Sequence, residues 1–492
     1  MIESAALIDR LGKPPLFQVT GRIIRITGLV AEAQGLKAPI GELARIARAE
    51  GGSLLAQVVG FRERYVFLMP LGDLTGVAPG DRVWSTGGCM TVPRGLGLLG
   101  RVLGPFGEPL DGKGPLRAEG QAPLHRPPPP AMDRRRITAP VATGIRAIDG
   151  LLTLGQGQRL GIFAGSGIGK STLLGMIARS TSADVNVIGL IGERGREVQE
   201  FLHADLGPVG LARSVMVVAT SDAPPLLRRQ AAAMATAIAE DFRDRGQAVL
   251  LMMDSLTRYA MAQREIGLAV GEPPTTRGYP PSAFAMLPQL LERAGPGSGP
   301  GSITGLYTIL VEGDDMNEPV ADAARAILDG HIVLSRDLAD RGHYPPVDVL
   351  ASVSRVMPNV TTPAHQEAAS RVRQALGAAR EVEDLVRIGA YVSGSDAVAD
   401  WALKHLPTIQ AFLHQGVDEP ADFDDTLRRL QAIWQSDNRE TGKGPSAELP
   451  IAGLPLTPED GRHATVSLFP GSPPLVSMPP GKAGPTGIGR HT

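Results

Sequence analysis

Residues 164–171 carry the sequence AGSGIGKS, and this stretch decides the fold. An apolar run, QRLGIFAG, leads into it, and a helical pattern, KSTLLGMIARS, follows. Glycines at this spacing let backbone N–H groups approach phosphate oxygens closely, and the N-terminus of the following helix adds a partial positive charge. The stretch therefore predicts a phosphate-binding loop between a strand and a helix.

The loop supplies most of the residues that we expect to hold a nucleotide. Lys170 can reach the β- and γ-phosphates, and the Ser171 hydroxyl can bind Mg²⁺. The strict loop pattern begins with glycine where this chain has Ala164. The question at this position is whether alanine can adopt the backbone conformation that the loop requires. A glycine-rich turn without a ligand is the alternative. The expected binding set is Ala164, Gly165, Ser166, Gly167, Ile168, Gly169, Lys170, Ser171 and Thr172.

Two acidic residues follow apolar strands downstream of the loop. The run Val249–Asp254 ends in a carboxylate, and ligands in doubly wound sheets lie beyond the carboxyl ends of strands. Asp254 is therefore a candidate for holding Mg²⁺ through water. Glu193, in the sequence IGERGRE, follows another apolar strand, where it would either orient an attacking water or interact with a helix dipole. On spacing alone, the two roles of Glu193 are equally supported.

The sequence on both sides of the loop predicts three structural domains. Short β-type runs with glycine and aspartate turns come first and indicate a small barrel. Continuous apolar strands that alternate with helices come next and indicate an α/β domain with a parallel sheet covered on both faces. Helical patterns follow the last strand. The expected limits are 1–16 for an N-terminal partner-binding segment, 17–94 for the β-barrel, 95–360 for the P-loop domain, 361–435 for a C-terminal helical domain and 436–492 for a disordered tail.

The composition bounds the class of protein. Of the 492 residues 43% are apolar, which suits a globular chain with large cores. The net charge of −2 gives no electrostatic reason to expect nucleic acid as a partner. The single cysteine, Cys89, cannot form an internal disulfide, and we expect it to be buried. Apolar runs in the sequence are all shorter than the roughly 20 residues that span a bilayer, so we expect a soluble protein.

Together the motifs resemble the rotary ATPase superfamily and, within it, the type III secretion ATPases, most closely the flagellum-specific export ATPases. The resemblance covers about residues 15–435 and is densest at 143–360. It implies a RecA-like P-loop fold for the central domain. The stretches that carry it are AGSGIGKST, IGERGREV, LLMMDSLTRYAMAQREI, GEPPTTRGYPPSAFAMLPQLLERAG, VEGDDMNEPVADAARAILDGHIVLSRDLA and GHYPPVDVLASVSRVM.

The resemblance implies roles for five residues. Glu193 matches the catalytic glutamate, and Arg194 beside it matches a contact to the γ-phosphate. Asp254 matches the aspartate linked to Mg²⁺. Arg355, after Ser-Val-Ser, matches the arginine finger that reaches the nucleotide of the neighbouring subunit. Tyr344 takes the place of an aromatic residue that packs on adenine, and an ordinary core tyrosine is the alternative.

The function that the resemblance implies is hydrolysis of ATP, with Mg²⁺, to energise type III protein export for flagellum assembly. It implies a homo-oligomeric ring, a hexamer, in the cytoplasm at the inner-membrane base of the export apparatus. Residues 394–396 match a segment that faces a central stalk protein. Export substrates, their chaperones and a membrane-embedded export gate are further implied partners, with no nucleic acid. A stator-like regulator is expected on the N-terminal segment, whose apolar helical face is Ile2, Leu7, Ile8 and Leu11.

Four other functions compete with this one. An inactive partner subunit, like those of ATP synthase, would keep the loop and lack the carboxylate that Glu193 supplies. A catalytic ATP synthase subunit is a second alternative, but the stretches GERGREV, GYPPS and AILDGHIVLSR resemble the secretion ATPases more closely than the synthase subunits. An RNA-translocating helicase would carry a basic, aromatic RNA motif, which is not evident in the sequence. A virulence-injection ATPase stays open, because the two secretion branches differ little.

Overall fold

The computed structural model of the chain describes residues 19–49, 51–311, 313 and 315–441, with side chains described as far as residue 433. The expected partner-binding segment, residues 1–16, lies outside the described residues. The expected tail lies outside them too, from residue 442 onward. The described part begins in a barrel and ends in helices.

Six antiparallel strands near the N-terminus close into a barrel. Their side chains alternate between the interior and solvent, as strands with one buried face require; in the first strand Ile23 is buried, and Arg22 and Ile24 are exposed. The hydrogen-bonded order is β1-β2-β5-β4-β3-β6, and β6 closes on β1. The strands are β1 Thr20–Thr27, β2 Val30–Gln34, β3 Glu42–Ala47, β4 Ser53–Arg62, β5 Tyr65–Pro70 and β6 Arg82–Cys89.

The stretch after the barrel contributes strands to the rest of the protein. β7 (Thr91–Arg94) and β9 (Gly120–Pro123) pair with each other as a ribbon outside the barrel. β8 (Arg101–Leu103) joins the central sheet, parallel to β14 (Ser214–Thr220). The glycine-rich segment around β8 is therefore part of the nucleotide-binding domain's sheet.

The barrel ends with β6 at Cys89, whereas the sequence pattern predicts a limit at residue 94. Only Met90 separates β6 from β7, so the β pattern continues across the break without a turn signal. Cys89 is exposed, contrary to expectation, because it ends a stretch of β6 from Thr86 onward that faces solvent.

A nine-stranded sheet forms the central domain, and its neighbouring strands run parallel along the main path except for the last pair, β18 with β19. Across the sheet the order is β19-β18-β12-β17-β15-β13-β14-β8, with β16 antiparallel beside β17. The remaining strands are β10 Pro140–Val141 and β11 Leu154–Gly155, which pair separately, and β12 Arg159–Ala164, β13 Val185–Glu193, β15 Ala248–Asp254, β16 Gly295–Pro296, β17 Ser302–Leu310, β18 Gly330–Leu334 and β19 Val347–Ser354.

Helices cover both faces of this sheet. Ile162 packs into one buried core and its neighbour Phe163 into the other, which explains why the strands read as continuous apolar runs. The helices are α1 Arg146–Leu151, α2 Lys170–Ser180, α3 Gly195–Glu200, α4 Gly207–Ala212, α5 Pro225–Asp244, α6 Leu256–Ala269, α7 Pro281–Leu291, α8 Pro319–Ile327, α9 Arg336–Asp340 and α10 Met357–Val360. Shorter turns are the 3₁₀ segments Ala131–Asp133 and Thr276–Gly278 and the π-helical segment Phe201–Leu206.

Three helices form the C-terminal part: α11 Pro363–Arg387, α12 Ala397–Leu413 and α13 Phe423–Thr441. Asp396 caps α12 by accepting the N–H groups of Val398 and Ala399. α13 continues to Thr441, beyond the limit predicted near Ser436, because the first helix-breaking residue after Trp434 is Gly442. The predicted architecture of barrel, α/β core and C-terminal helices is confirmed.

Candidate nucleotide-binding site

The phosphate-binding loop lies between the end of β12 and the start of α2. Gly167 and Gly169 adopt φ angles of 79° and 84°, a region that residues with a side chain rarely occupy. A Cβ on Gly167 would meet open space, so backbone conformation and not crowding requires glycine there. Gly169 has no side chain to cap α2, which leaves the first helical N–H groups for a ligand.

Ala164 fits the loop without backbone strain. It is the last residue of β12, is 1% exposed, and pairs with Leu310 on β17 and Leu334 on β18. Its backbone is that of a regular strand residue, so alanine serves where the strict pattern has glycine. Ile168 is 2% exposed and its side chain packs into the core beneath the loop, so only its backbone can face a ligand.

Three charged residues from distant parts of the sequence meet beside the loop. Glu193 ends β13 and Asp254 ends β15, and these strands are neighbours in the sheet. The Lys170 ammonium forms an ion pair with Asp254 and lies 3.8 Å from Oε1 of Glu193. The Thr308 hydroxyl donates to Oδ1 of Asp254 at 2.7 Å, which fixes the carboxylate. One ammonium group and two carboxylates therefore lie close together at the carboxyl ends of the parallel strands.

The environment of Glu193 brings the pKa of its carboxyl group close to physiological pH. Burial raises the pKa of Glu193 to about 7; the negative charge of Asp254 adds to this rise, and the Lys170 ammonium opposes it. A hydrogen bond with Glu197 also raises the pKa of Glu193 and lowers the pKa of Glu197. A carboxylate with a pKa near the working pH is suited to proton transfer.

A cavity of about 830 Å³ opens over the loop. Its size suits a nucleotide, since small-molecule sites commonly enclose about 300–1,000 Å³. Ser171 and Thr172 line it from the first turn of α2. The Ser171 hydroxyl and the nearby Asp254 carboxylate offer hard oxygen ligands of the kind that Mg²⁺ takes together with substrate phosphates. The residues present therefore fit a nucleotide with Mg²⁺.

Arg194, expected at the γ-phosphate, lies at the wall of the cavity, and Tyr344, expected at the adenine, lies beside the loop. The Arg194 side chain is 73% exposed at the cavity wall and pairs with Glu197 at 3.1 Å. Tyr344 is 44% exposed, so it is not a core tyrosine. A Cβ placed on Gly169 would meet Cε1 of the Tyr344 ring at 3.8 Å, which puts the ring against the phosphate-binding loop.

Arg355 lies away from the phosphate-binding loop of its own chain. It follows β19, which runs antiparallel to β18, and Ser354 pairs with Gly330 at the start of β18. Ala164 pairs with Leu334 at the end of β18, about 13 Å further along at the usual rise of a strand. The exposed Arg355 guanidinium donates to the Leu328 carbonyl oxygen at 3.2 Å on that far edge.

Three cavity-lining arginines, Arg196, Arg258 and Arg336, are missing from the set expected from the sequence. Arg258 lies one turn into α6 after Asp254, and its Nε is buried with no hydrogen-bond partner within the described residues. Arg336, at the start of α9, donates to the Ser166 carbonyl oxygen of the loop at 3.1 Å. The spacing of Arg258, four residues after a strand-end aspartate on a helix, is a signal that could have located it; Arg336 has no comparable local signal.

The matching families follow the order of the domains. The β-barrel domain of the ATP synthase alpha/beta family matches residues 23–87, and the nucleotide-binding domain of that family matches residues 144–354. The T3SS EscN ATPase C-terminal domain matches residues 361–432.

Individual proteins match over most of their length. The flagellum-specific ATP synthase of Bacillus subtilis is 52% identical over 436 residues, which cover 88% of this chain and 99% of the relative. The type 3 secretion system ATPase of Xanthomonas euvesicatoria is 52% identical over 415 residues, 84% of this chain and 93% of the relative. The assembled ATPase EscN of enteropathogenic E. coli, solved in complex with its central stalk EscO, has a TM-score of 0.78 and 46% identity, covering 84% of this chain and 99% of that chain.

A phosphate-binding loop facing two strand-end carboxylates on a parallel sheet defines the class of P-loop nucleoside triphosphatases. Within it, the chain belongs to the ATP synthase alpha/beta family, in the branch of the flagellum-specific and type 3 secretion system ATPases. The chain is therefore an ATPase, and the family predicted from its motifs is confirmed. Among the helices that the structure describes, none combines the length and apolar character needed to cross a membrane.

Proposed function

We propose that this ATPase energises protein export through a flagellar type III apparatus by hydrolysing ATP to ADP and phosphate. The observation that carries the proposal is the meeting of Lys170, Glu193 and Asp254 beside the phosphate-binding loop. It is supported by relatives of 52% identity that are flagellar and type 3 secretion ATPases. An inactive subunit would lack the carboxylate that Glu193 provides.

Each residue at the loop takes a role that its position supports. Lys170 binds the β- and γ-phosphates, leaving Asp254 free to accept other contacts. Glu193 orients the attacking water and accepts its proton. Ser171 and Asp254 hold Mg²⁺, which when bound neutralises charge on the phosphate oxygens. Tyr344 packs on the adenine ring.

Two arginines complete the phosphate end of the site. Arg194 exchanges its pairing with Glu197 for a γ-phosphate oxygen, which its exposed position at the cavity wall allows. Arg258 offers a buried Nε that is without a hydrogen-bond partner among the described residues, so an anion in the cavity would satisfy it. Both roles place positive charge where the transferring phosphoryl group becomes more negative.

The position of Arg355 supports a site shared between subunits. Its guanidinium lies at the end of β18 opposite to the phosphate-binding loop, a position that favours contact with a nucleotide in another copy of the chain over its own. EscN, solved as an assembled ATPase, is similar over 84% of this chain. We infer a homohexameric ring in which each Arg355 stabilises the transition state in the neighbouring subunit.

The ring would act through partners on its two ends. EscN is solved with a central stalk, and a stalk protein of that kind would contact residues 394–396, in the loop between α11 and α12. Export substrates, their chaperones and a membrane-embedded export gate would complete the pathway, with a stator-like regulator on residues 1–16. This places the ring in the cytoplasm, peripheral to the inner membrane. A net charge of −2 gives no support for nucleic acid as a partner.

Deletion of the gene tests the flagellar assignment. Flagella should be lost and should return with the wild-type gene, but not with a Lys170→Ala variant that is produced at the same level. Loss of injected effectors with flagella intact would instead assign the chain to a virulence apparatus. The Bacillus and Xanthomonas relatives are equally similar at 52%, so the deletion phenotype decides between the two assignments.

A further inference from the structure

The loop between α12 and α13 touches the nucleotide site through a backbone hydrogen bond. The N–H of Gln415 donates to the carbonyl oxygen of Tyr344 at 2.9 Å. The ring of Tyr344 lies against Gly169 of the phosphate-binding loop. A residue of the C-terminal helical part therefore holds the backbone of the residue that borders the nucleotide.

Both polar side-chain atoms of Gln415 are themselves held by hydrogen bonds. It is 2% exposed. Its Oε1 accepts the N–H of Arg146 at 2.9 Å, and its Nε2 donates to the carbonyl oxygens of Gly144 and Glu419, each at 2.7 Å. A buried amide with this many partners has one position, because each lost bond would leave a buried polar group unsatisfied.

Arg146, at the start of α1, holds the same loop from the other side. It is 4% exposed and donates to the carbonyl oxygens of Phe412, at 2.8 Å, and of His414. It also pairs with the carboxylate of Glu419. α1 belongs to the nucleotide-binding domain, so these contacts dock the end of α12 onto that domain.

We propose that Gln415 is a positioning residue that makes the affinity for ATP depend on how the C-terminal helices are docked. When the loop is docked, Gln415 holds the Tyr344 backbone and so the ring beside the adenine. When the C-terminal helices move and the bonds to Arg146 and Gly144 break, the ring is released and affinity falls. By linkage, bound ATP favours the docked position by the same factor. The inference rests on the adenine contact proposed above for Tyr344.

Steady-state kinetics of Gln415→Ala test the proposal, with Gln410→Ala as control. Gln410 lies in the last turn of α12, just before the loop that contains Gln415, and is exposed. Gln415→Ala should raise the KM for ATP about fivefold or more and leave kcat nearly unchanged. Gln410→Ala should change neither. A fall in kcat at constant KM, with a lowered Tm, would show that Gln415 only supports the fold and would overturn the proposal.

A double-mutant cycle separates the positioning role from the adenine contact. In a Tyr344→Ala background, Gln415→Ala should cause little further rise in KM, because the ring through which it acts is gone. An equal rise in both backgrounds would overturn the role of Gln415 alone. A Tyr344→Ala variant with unchanged KM would contradict the adenine contact, and with it the basis of the inference.

A milder variant covers the case in which Gln415→Ala does not fold. The Glu419 side chain is 47% exposed, pairs with Arg146 and accepts the N–H of Gly416 at 3.1 Å. Glu419→Ala should loosen the loop from its solvent side and raise KM in the same direction. That rise should also disappear in the Tyr344→Ala background, and its persistence there would overturn the proposal.

Discussion

At the scale of single residues, we propose that Glu193 distinguishes this ATPase from a nucleotide-binding subunit without turnover. Its carboxylate stands 3.8 Å from the Lys170 ammonium, at the point where phosphate and water would meet. Glu193→Gln should lower kcat by about 10²-fold or more, because the charge that orients the water is lost. The Kd for ATP should stay close to wild type, as the amide keeps the volume. Unchanged kcat with intact binding would contradict the catalytic role.

The pH dependence of turnover follows from the same residue. Burial raises the pKa of Glu193 to about 7, and the carboxylate must be charged to accept a proton. The value of kcat/KM should therefore fall as pH drops below 7 and level off above it. The profile of kcat/KM reports groups of the free enzyme and is the one to measure.

Glu197 provides the control for this assignment. Its hydrogen bond helps to raise the pKa of Glu193. Glu197→Gln should shift the acid limb of the kcat/KM profile to lower pH, because a group that disfavours the charged form of Glu193 is removed. An acid limb that stays in place would mean that another group controls it.

At the scale of elements, local spacing predicts the loop and its acids, because each is a run of adjacent residues. The phosphate-binding loop, Asp254 and Glu193 all lie at ends of apolar strands, and parallel strands bring such ends to one edge. Arg258 and Arg336 escape this reasoning, because only the packed structure shows which side of a helix faces the cavity. The role of Gln415 escapes it too, because its partners are 71 to 271 residues away or in its own loop.

The ends of elements are predicted less well than their types. β7 follows β6 after one residue, so alternation cannot reveal that β7 leaves the barrel. β8 is three residues long in a glycine-rich stretch, and pairing with β14 rather than propensity makes it a strand. α13 continues to Thr441 since residues 435–441 include neither glycine nor proline.

A truncation tests the limit between α13 and the rest of the chain. Removing residues 442–492 should leave ATPase activity and solubility nearly unchanged, because the polar, proline-rich composition of that segment predicts little buried surface. The matched control removes residues 423–492. It takes away Leu430 and Ile433, which are 0% and 4% exposed in the core against α1, and should give insoluble protein. Loss of soluble protein in the shorter truncation would show that the segment packs on the body.

At the scale of the whole molecule, the sheet places the phosphate-binding loop and Arg355, the proposed arginine finger, at opposite ends of its strands. The phosphate-binding loop follows the carboxyl end of β12, whereas Arg355 follows β19, which runs the other way. If Arg355 is the arginine finger that we propose, one copy of the chain cannot complete its own site. Specific activity should rise with protein concentration, and this is the property that a ring with shared sites requires.

Arg355→Ala should lower turnover about 10³-fold or more while ATP still binds, by comparison with other arginine fingers. The charge removed is the one that we propose stabilises the transition state in the neighbouring copy. Arg341→Ala is the control, since Arg341 is exposed and its ion pair is with Glu383 on α11. Turnover and the Kd for ATP are measured together, and a weakened Kd with normal turnover would contradict the role of Arg355.

Mixing two inactive variants tests the shared site most directly. Lys170→Ala lacks a working loop and keeps Arg355, while Arg355→Ala lacks the arginine and keeps the loop. In mixed assemblies, some subunit interfaces pair the intact loop of an Arg355→Ala subunit with the intact Arg355 of a Lys170→Ala subunit. ATPase activity should therefore return on mixing and be greatest near equal amounts. If the subunits exchange, as a labelled pair would show, and activity stays absent at every ratio, Arg355 does not act on a neighbouring subunit and the shared-site account is wrong.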